Sequence, residues 1–151
     1  MPIELKRSPV YTLGTSTRSP EEFVELLKHH SIKEVVDVRR YPGSRFEHFR
    51  KENLARLLRN NSIDYIPLGE YLGGHRKGGY EAFMKTETFR EGIARLEEIA
   101  TGATTAIICA ERLPQKCHRR FIASELKSRG REVFHIIDAD NSLNEQTRLL
   151  L

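Results

Sequence analysis

Short, mostly apolar runs alternate with longer amphipathic segments along the chain. A short apolar run bounded by turn-forming residues is typical of a buried strand. A longer segment with apolar residues three and four positions apart is typical of a helix that packs one face against a core. The runs predict strands at 10–13, 34–38, 104–109 and 132–137, and the alternating residues at 63–66 predict another. The amphipathic segments predict helices at 20–30, 53–60, 83–100 and 118–128.

Capping residues mark where two of these helices begin or end. Ser19 is followed by Pro20 and, three residues after the cap, by Glu22. This order of residue types is the pattern of a helix N-terminus. Gly102 closes the long amphipathic segment at 83–100, as glycine commonly does after a helix.

Two polar connections and the tail lack a clear periodicity. We expect loops at 39–50 and at 68–79, the second of them rich in glycine. Loops of this length are uncommon in a compact domain and are often functional. The polar tail at 138–151 is predicted to be a short helix or to lack regular structure.

The order of the predicted elements defines the fold class. Strands and helices alternate throughout, which predicts an α/β fold with right-handed crossovers. We expect a single domain over residues 1–151: an open, mainly parallel five-stranded sheet with helices on both faces, in a Rossmann-like or flavodoxin-like three-layer arrangement. Ligands of such sheets bind beyond the carboxyl ends of the strands. The loops that leave these ends, and that are predicted to form one site, are 14–18, 39–45, 68–79 and 109–119.

Composition and charge are those of a soluble globular protein rather than a membrane-spanning one. The 151 residues are 38% hydrophobic, and 25 Lys+Arg against 21 Asp+Glu give a net charge of +4. No stretch approaches the roughly 20 apolar residues that span a bilayer, and no apolar leader follows the N-terminus. We therefore expect a cytoplasmic protein without a membrane partner, whose two cysteines are thiols rather than a structural disulfide.

The connection after the fourth predicted strand concentrates the reactive side chains. Cys117 and His118 open a predicted helix, whose positive end stabilises a thiolate or a bound phosphate or sulfate. Lys116 and Arg119 add positive charge, so Cys117 is a candidate nucleophile and His118 a candidate proton carrier. A small residue that only packs at the helix start is the alternative for Cys117. Cys109, at the end of the strand, is expected to belong to the core.

Motifs for a metal or a nucleotide cofactor are lacking. Cys109, Cys117, His118 and His75 are zinc ligands by residue type, but they lack the Cys-x2-Cys spacing of a structural zinc site. Neither a Walker A sequence nor the dinucleotide pattern Gly-x-Gly-x-x-Gly occurs in the chain. We therefore expect neither a metal nor a cofactor.

Residues on the other loops suggest an anion site. Arg39, Arg45 and Arg119 offer planar guanidinium groups for bidentate binding of phosphate or carboxylate. The other candidates for substrate binding are the hydroxyls of Ser16 and Ser44, and the glycines Gly73 and Gly74. These glycines allow either close backbone approach to a ligand or simply a turn.

Two carboxylates have alternative roles. Glu111 either holds an arginine in an ion pair or acts as a general base. Asp37 lies within the second predicted strand, where a buried carboxylate must be hydrogen-bonded or paired. It either caps the following loop or orients Arg39 or His118.

Three signatures stand out from the rest of the sequence. They are Asp37-Val38-Arg39 with Pro42 and Ser44-Arg45; Leu72-Gly73-Gly74; and Cys109-x-Glu111-x-x-Pro114-x-x-Cys117-His118-Arg119. With them the chain resembles the family called domain of unknown function 488, over about residues 11–137. The resemblance implies that the three signatures form a common site. The opening motif of that family usually looks like Thr-Ile-Gly-His-Ser, whereas this chain has Thr15 where the family has histidine.

The strand around Asp37 also looks like one in rhodanese-type sulfurtransferases. This likeness is an analogy only, because the Cys-x5-Arg loop of rhodaneses and cysteine phosphatases is absent. Six residues after Cys109 stands Gln115, and six residues after Cys117 stands Ala123.

These observations support three hypotheses. The first is an enzyme, a hydrolase or transferase, for a phosphorylated or otherwise anionic substrate such as a nucleotide or nucleic acid. Its arginines would clamp the anion, Cys117 or Glu111 would do the chemistry, and His118 would transfer protons. The second is a non-catalytic module that binds nucleic acid or a nucleotide. The third is a thiol-based protein of sulfur transfer or redox chemistry.

Overall fold

Six β-strands form one sheet in the part of the chain that the structure describes. The structure is a computed structural model, and it describes residues 8–41, 46–138 and 141–144. The strands are β1 (Val10–Gly14), β2 (Glu34–Asp37), β3 (Asp64–Pro67), β4 (Thr105–Cys109), β5 (Val133–Asp138) and β6 (Asn141–Asn144). Their order across the sheet is β3-β2-β4-β1-β5-β6.

The first five strands are parallel, as the alternation of strands and helices predicts. β4 is the central one of the five, paired with β1 on one side and β2 on the other. Every residue of β4 is buried, which explains why its sequence is a nearly continuous apolar run. β6 pairs antiparallel with β5. The expectation of a helix or an irregular tail is therefore wrong at 141–144, while 139–140 and 145–151 lie outside the described residues.

The helices follow the amphipathic segments, with two differences. They are α1 (Pro20–His29), α2 (Lys51–Arg59), α3 (Gly69–Leu72), α4 (Tyr80–Phe83), α5 (Glu87–Gly102) and α6 (Arg119–Ser128), with 3₁₀ turns at Glu47–Phe49 and Pro114–Lys116. The Ser19 hydroxyl caps α1 by accepting a hydrogen bond of 3.0 Å from the Glu22 amide, which confirms the predicted cap. Within the described ranges, no helix is long and apolar enough to cross a membrane.

The differences lie in the predicted loop at 68–79 and the predicted helix at 83–100. The Thr86 hydroxyl accepts a hydrogen bond of 3.2 Å from the Phe89 amide. This cap starts α5 separately from α4, so the predicted helix is interrupted. α3 forms a single turn within the predicted loop, directly after β3. Hydrophobic periodicity does not reveal a side-chain cap of this kind, because Thr86 is polar in either conformation.

Helices cover both faces of the sheet, as predicted, because successive strand residues point to opposite faces. One apolar core lies under α1 and α2 and includes Phe23 and Leu58. The other lies under α5 and α6 and includes Ile93 and Ile122. The connection after β2 therefore leads to one face of the sheet, and the connection after β4 leads to the other.

This divergence positions the site. β2 and β4 are neighbours in the sheet, yet their following segments turn towards opposite faces. Adjacent parallel strands with diverging connections leave a crevice beyond their carboxyl ends, and this is where open α/β sheets bind ligands. The fold therefore places a crevice between the segments that follow Asp37 and Cys109.

Candidate functional site

A pocket of about 400 Å³ occupies this crevice. Its walls come from three segments that follow strands β2, β3 and β4. The lining residues lie at 39–41, at 74, 75 and 80, and at 109–111, 117 and 118. Three of the four loops expected to converge therefore do so. The fourth, at 14–18, supports the β4 segment instead, since the amides of Thr15 and Ser16 each donate a hydrogen bond of 2.8 Å to the carbonyls of Cys109 and Ala110.

The two cysteines meet at the pocket. The structure pairs them as a disulfide, so the expectation of two free thiols is wrong, and both side chains are buried, Cys109 with 1% and Cys117 with 8% of its surface exposed. Their Cα atoms are 7.4 Å apart, whereas ordinary disulfides have Cα separations of about 4.4–6.8 Å. A relaxed disulfide would therefore draw the two backbones together. The expectation that Cys109 serves the core and only Cys117 faces the site needs correction, because Cys109 does both.

Arg119 lies behind the pocket wall rather than in it. Its side chain is fully buried, and its guanidinium donates hydrogen bonds to Thr12 Oγ1 at 3.1 Å and to the carbonyls of Glu111 and Arg112 at 2.5 and 2.9 Å. A fourth contact, of 2.7 Å, joins Arg119 Nη1 to Cys109 Sγ. The geometry does not support the expected role of Arg119 as an anion clamp, because its donors are used within the protein. Arg119 instead shapes the β4–α6 loop.

The charge of Arg119 has no carboxylate partner in the described part of the chain. The pKa of Arg119 falls to about 9, chiefly because of burial; the positive charge of Arg18 contributes to this lowering, and Glu111 opposes it. A buried charge is costly unless it is paired. Among the described side chains, the guanidinium makes polar contacts only with those of Thr12 and Cys109.

A buried polar chain continues behind Arg119. Thr12 Oγ1 accepts a hydrogen bond from Arg119 Nε and lies 2.6 Å from Nδ1 of His135. Thr12 Oγ1 therefore links the Arg119 guanidinium to the His135 ring. Neither Thr12 nor His135 was predicted to serve the site. The sequence signal that could have revealed them is a polar residue within each of two predicted strands, because a buried hydroxyl or imidazole requires a hydrogen-bond partner.

His118 stands beside the sulfur of Cys117. Its Nε2 donates a hydrogen bond of 3.0 Å to the Val38 carbonyl, and its Nδ1 lies 3.7 Å from Cys117 Sγ. The pKa of His118 falls to about 4, chiefly because of burial; the hydrogen bond to the Val38 carbonyl opposes this lowering, and nearby positive charges, that of Arg119 first, contribute to it. The ring is therefore neutral at pH 7, with its proton on Nε2 and the lone pair of Nδ1 facing Cys117.

The expected close approach at Gly73 and Gly74 is to the protein itself. A Cβ on Gly74 would lie 3.1 Å from His118 Nδ1, and a Cβ on Gly73 would lie 2.5 Å from the Cβ of Arg40. Gly74 lines the pocket, whereas Gly73 is buried beside it. Both glycines therefore hold the β3 segment against the β2 and β4 segments, and this contact sets the position of the His118 ring.

Asp37 fulfils both roles expected for it, because its carboxylate accepts a hydrogen bond of 3.0 Å from the Arg39 amide, which caps the loop, and also orients the Arg39 side chain. Arg39 Nε and Nη2 donate hydrogen bonds of 2.9 and 2.8 Å to the two carboxylate oxygens of Asp37, and Nη1 donates to the Phe49 carbonyl at 2.8 Å. Tyr65 donates a further bond of 2.5 Å to Asp37. Burial alone would lower the pKa of Arg39, but the Asp37 carboxylate raises it overall. Arg39 is thus a fixed cation in the pocket wall.

The mouth of the pocket carries exposed cationic and aromatic groups. Arg40 donates a hydrogen bond of 2.8 Å to the His75 carbonyl, and its guanidinium lies 5.5 Å from the ring centre of Tyr41. Tyr41 is 69% exposed, and its ring centre is 6.3 Å from that of His75. These three residues were not among the predicted ligands. Arg40 and His75 each stand beside other basic residues in the sequence, but nothing local distinguishes them from solvated side chains.

The remaining predicted site residues do not all lie at the pocket. Glu111 lines the pocket and is exposed, and the described residues provide it no ion pair, so the expected pairing with an arginine is not observed. Ser16 binds through its amide and does not line the pocket. Ser44 and Arg45 lie outside the described residues. Among the described side chains, no group of three histidine, cysteine or acidic residues is arranged to hold a metal ion.

The fold and the pocket together define an α/β protein with a paired-cysteine site at the carboxyl edge of a parallel sheet. The sequence model for the family described as Domain of unknown function DUF488 matches residues 19–126, and the chain belongs to that family. The matched range contains all three signatures of the sequence but not β1. No curated protein matches the chain. No solved structure matches it either.

Proposed function

We propose that the protein is a thiol-dependent enzyme that acts on a small anionic substrate, with Cys117 as its nucleophile. The observation that carries this proposal is the position of Cys117 Sγ in a pocket wall, 3.7 Å from the unprotonated nitrogen of His118. A thiol next to a neutral imidazole loses its proton readily during attack. The Arg119 amide, at the start of α6 and 3.5 Å from Cys117 Sγ, supports the resulting thiolate.

The cations of the pocket support an anionic substrate. Arg39 is held rigidly in the wall, and Arg40 stands at the mouth. Glu111 is the one carboxylate in the lining, and it is exposed. Positive charge around a concave site raises the local concentration of anions and speeds their arrival. Tyr41 beside Arg40 favours an anion with an aromatic ring, such as a nucleotide, because bases stack on exposed aromatic side chains.

The proposed reaction is a group transfer through a covalent intermediate. The sulfur of Cys117 bonds to an electrophilic atom of the substrate while its proton passes to Nδ1 of His118. The leaving group departs with the electrons of the broken bond and takes that proton. Water or a second acceptor then displaces Cys117, which makes the enzyme a hydrolase or a transferase.

Binding of a nucleotide or nucleic acid without catalysis is the second candidate. The exposed Tyr41 ring next to Arg40 favours it, since a stacking surface with a cation is the basis of sequence-independent binding. This candidate assigns no role to Cys117 or to His118, so the reactivity of the thiol distinguishes the two.

Alkylation of the reduced protein with iodoacetate and with iodoacetamide tests the proposal. The two reagents differ in charge, and a cationic pocket favours the anionic one. We expect the iodoacetate-to-iodoacetamide rate ratio at Cys117, located by peptide mass, to exceed that of a free small thiol by roughly tenfold. Arg40→Gln should reduce this ratio and Arg90→Gln, on the exposed side of α5, should not. A ratio equal to that of the free thiol would contradict the proposal.

A further inference from the structure

We infer that Cys109 and Cys117 form a dithiol–disulfide couple, which gives the pocket an additional activity: thiol–disulfide exchange with small disulfides that carry negative charge. This activity uses the proposed role of Cys117 as the reacting thiol and does not depend on the substrate of the group transfer. Its basis is the contact between the two sulfurs in one pocket and the way in which Arg119 serves both of them.

Arg119 contacts the two sulfurs through different groups. Its side-chain Nη1 lies 2.7 Å from Cys109 Sγ, and its backbone amide lies 3.5 Å from Cys117 Sγ. A residue that stabilises both thiolates lowers the cost of forming either one, and thiolates are the reacting species in disulfide exchange. Because Arg119 is fully buried and has no carboxylate partner among the described residues, the thiolate of Cys109 is its counter-charge.

The difference in exposure between Cys117 and Cys109 indicates which thiol attacks the disulfide and which one resolves the mixed disulfide. Cys117 is the more exposed of the two sulfur residues and stands beside His118, so it reacts first with a disulfide from the pocket. Cys109 is almost completely buried, out of reach of a bulky reagent but in contact with Cys117. A buried thiolate next to the attacking cysteine is the arrangement of a resolving cysteine.

The steps balance as two exchanges. The Cys117 thiolate attacks one sulfur of a disulfide RS–SR, the S–S bond breaks, and RS⁻ leaves with its electron pair. The Cys109 thiolate then attacks Cys117 Sγ in the mixed disulfide, which forms the Cys109–Cys117 bond and releases the second RS⁻. The protein loses two electrons and RS–SR gains them. An external dithiol reduces the protein again by the same chemistry in reverse.

The backbone permits the second step with a local movement. The Cα separation of 7.4 Å must shorten for a relaxed disulfide. Cys109 ends the central strand, which is held by hydrogen bonds from β1 and β2 on both sides. Cys117 follows a 3₁₀ turn at Pro114–Lys116 in the loop before α6. The loop carrying Cys117 is therefore the part that moves.

The probe for this activity is 5,5′-dithiobis(2-nitrobenzoate), an aromatic disulfide with two carboxylates that releases a coloured thiolate. With the reduced protein we expect about two equivalents of coloured thiolate, and an intact mass that retains no adduct and shows an internal disulfide. Cys109→Ser should release about one equivalent and keep the adduct on Cys117. Cys117→Ser should react slowly.

Two further measurements keep the outcome decisive. The neutral reagent 2,2′-dithiodipyridine should react more slowly relative to a free thiol than the anionic probe does. If Cys109→Ser does not fold, Cys109→Ala replaces it in the same assay. The intact mass of the wild-type protein after reaction tests the inference without any variant. A wild-type protein that retains one or two adducts would overturn the inference. Because alkylation tests Cys117 by itself, the group-transfer proposal can survive that result.

Discussion

Arg119 and Cys109 are joined by a contact of 2.7 Å between Nη1 and Sγ, although ten residues separate them in the sequence. The contact closes the loop between β4 and α6 from behind. Two carbonyls of that loop, from Glu111 and Arg112, accept further bonds from the same guanidinium. One buried side chain therefore fixes the loop that carries Cys117.

Replacing Arg119 by lysine should destabilise the protein. Lysine keeps the charge but cannot reproduce the planar fork that reaches Thr12, Cys109 and the two loop carbonyls. Buried acceptors left without donors cost about 1–3 kcal/mol each, so we expect Arg119→Lys to lower the free energy of unfolding by about 3 kcal/mol in urea titrations.

The neighbouring residue provides the control for that change. Arg120 is exposed, and its guanidinium donates to the Gln115 carbonyl at 3.2 Å. Arg120→Lys should change the unfolding free energy by less than about 0.5 kcal/mol. Equal effects of the two substitutions would show that the buried network contributes nothing specific.

Adding a methyl group at Gly74 should impair the thiol rather than the fold. The new Cβ would lie 3.1 Å from His118 Nδ1, the atom that faces Cys117, and would push the ring aside. Loss of a positioned base should slow the alkylation of Cys117 at pH 7 by at least about tenfold. Gly102→Ala is the control, since a Cβ there meets nothing within 4 Å. An unchanged rate in Gly74→Ala would remove His118 from the proposed mechanism.

Acid should destabilise the protein through His118. Burial lowers the pKa of this histidine to about 4, below its ordinary value of 6.5. The unfolded chain therefore binds more protons between these values, so the contribution is complete above pH 6.5 and is lost as the pH falls towards 4. The loss is at most about 3 kcal/mol.

Urea titrations at about pH 7.5 and pH 4.5 measure this effect. His118→Asn should lose less stability between the two conditions than the wild type does, because asparagine does not titrate. The exposed His29→Asn should behave as the wild type does. Parallel losses in wild type and His118→Asn would assign the acid sensitivity to other groups.

The sheet was predictable because its signals are local. Four of the five parallel strands are short, mostly apolar runs, β3 has the alternation typical of a strand, and Ser19 with Glu22 marks the start of α1 as predicted. The elements that were not predicted also have local causes, but the pattern of apolar residues does not reveal those causes. The Thr86 cap separates α4 from α5, and β6 is a polar segment that becomes a strand by pairing with β5.

The location of the candidate site was predictable for a related reason. Strands that alternate with helices must run parallel, so the loops after them share one edge of the sheet. The individual roles were less accessible. The basic neighbours of Arg119 in the sequence suggest a cation at the edge of the pocket. In the structure, however, Arg119 lies on the buried face of α6 together with Ile122, Ala123 and Leu126. The helical spacing of these three residues was the signal that indicated its burial.

The sequence by itself determined the five parallel strands, the longer helices, and the edge at which Cys117, His118 and Arg39 collect. Tertiary structure alone decided which groups touch there. The strand order places β1 between β4 and β5, and this brings Thr12 and His135 to Arg119. A repeating apolar pattern states only that a residue faces inward. The partner of a buried charge depends on which strands become neighbours, and that follows from the packing of the whole chain.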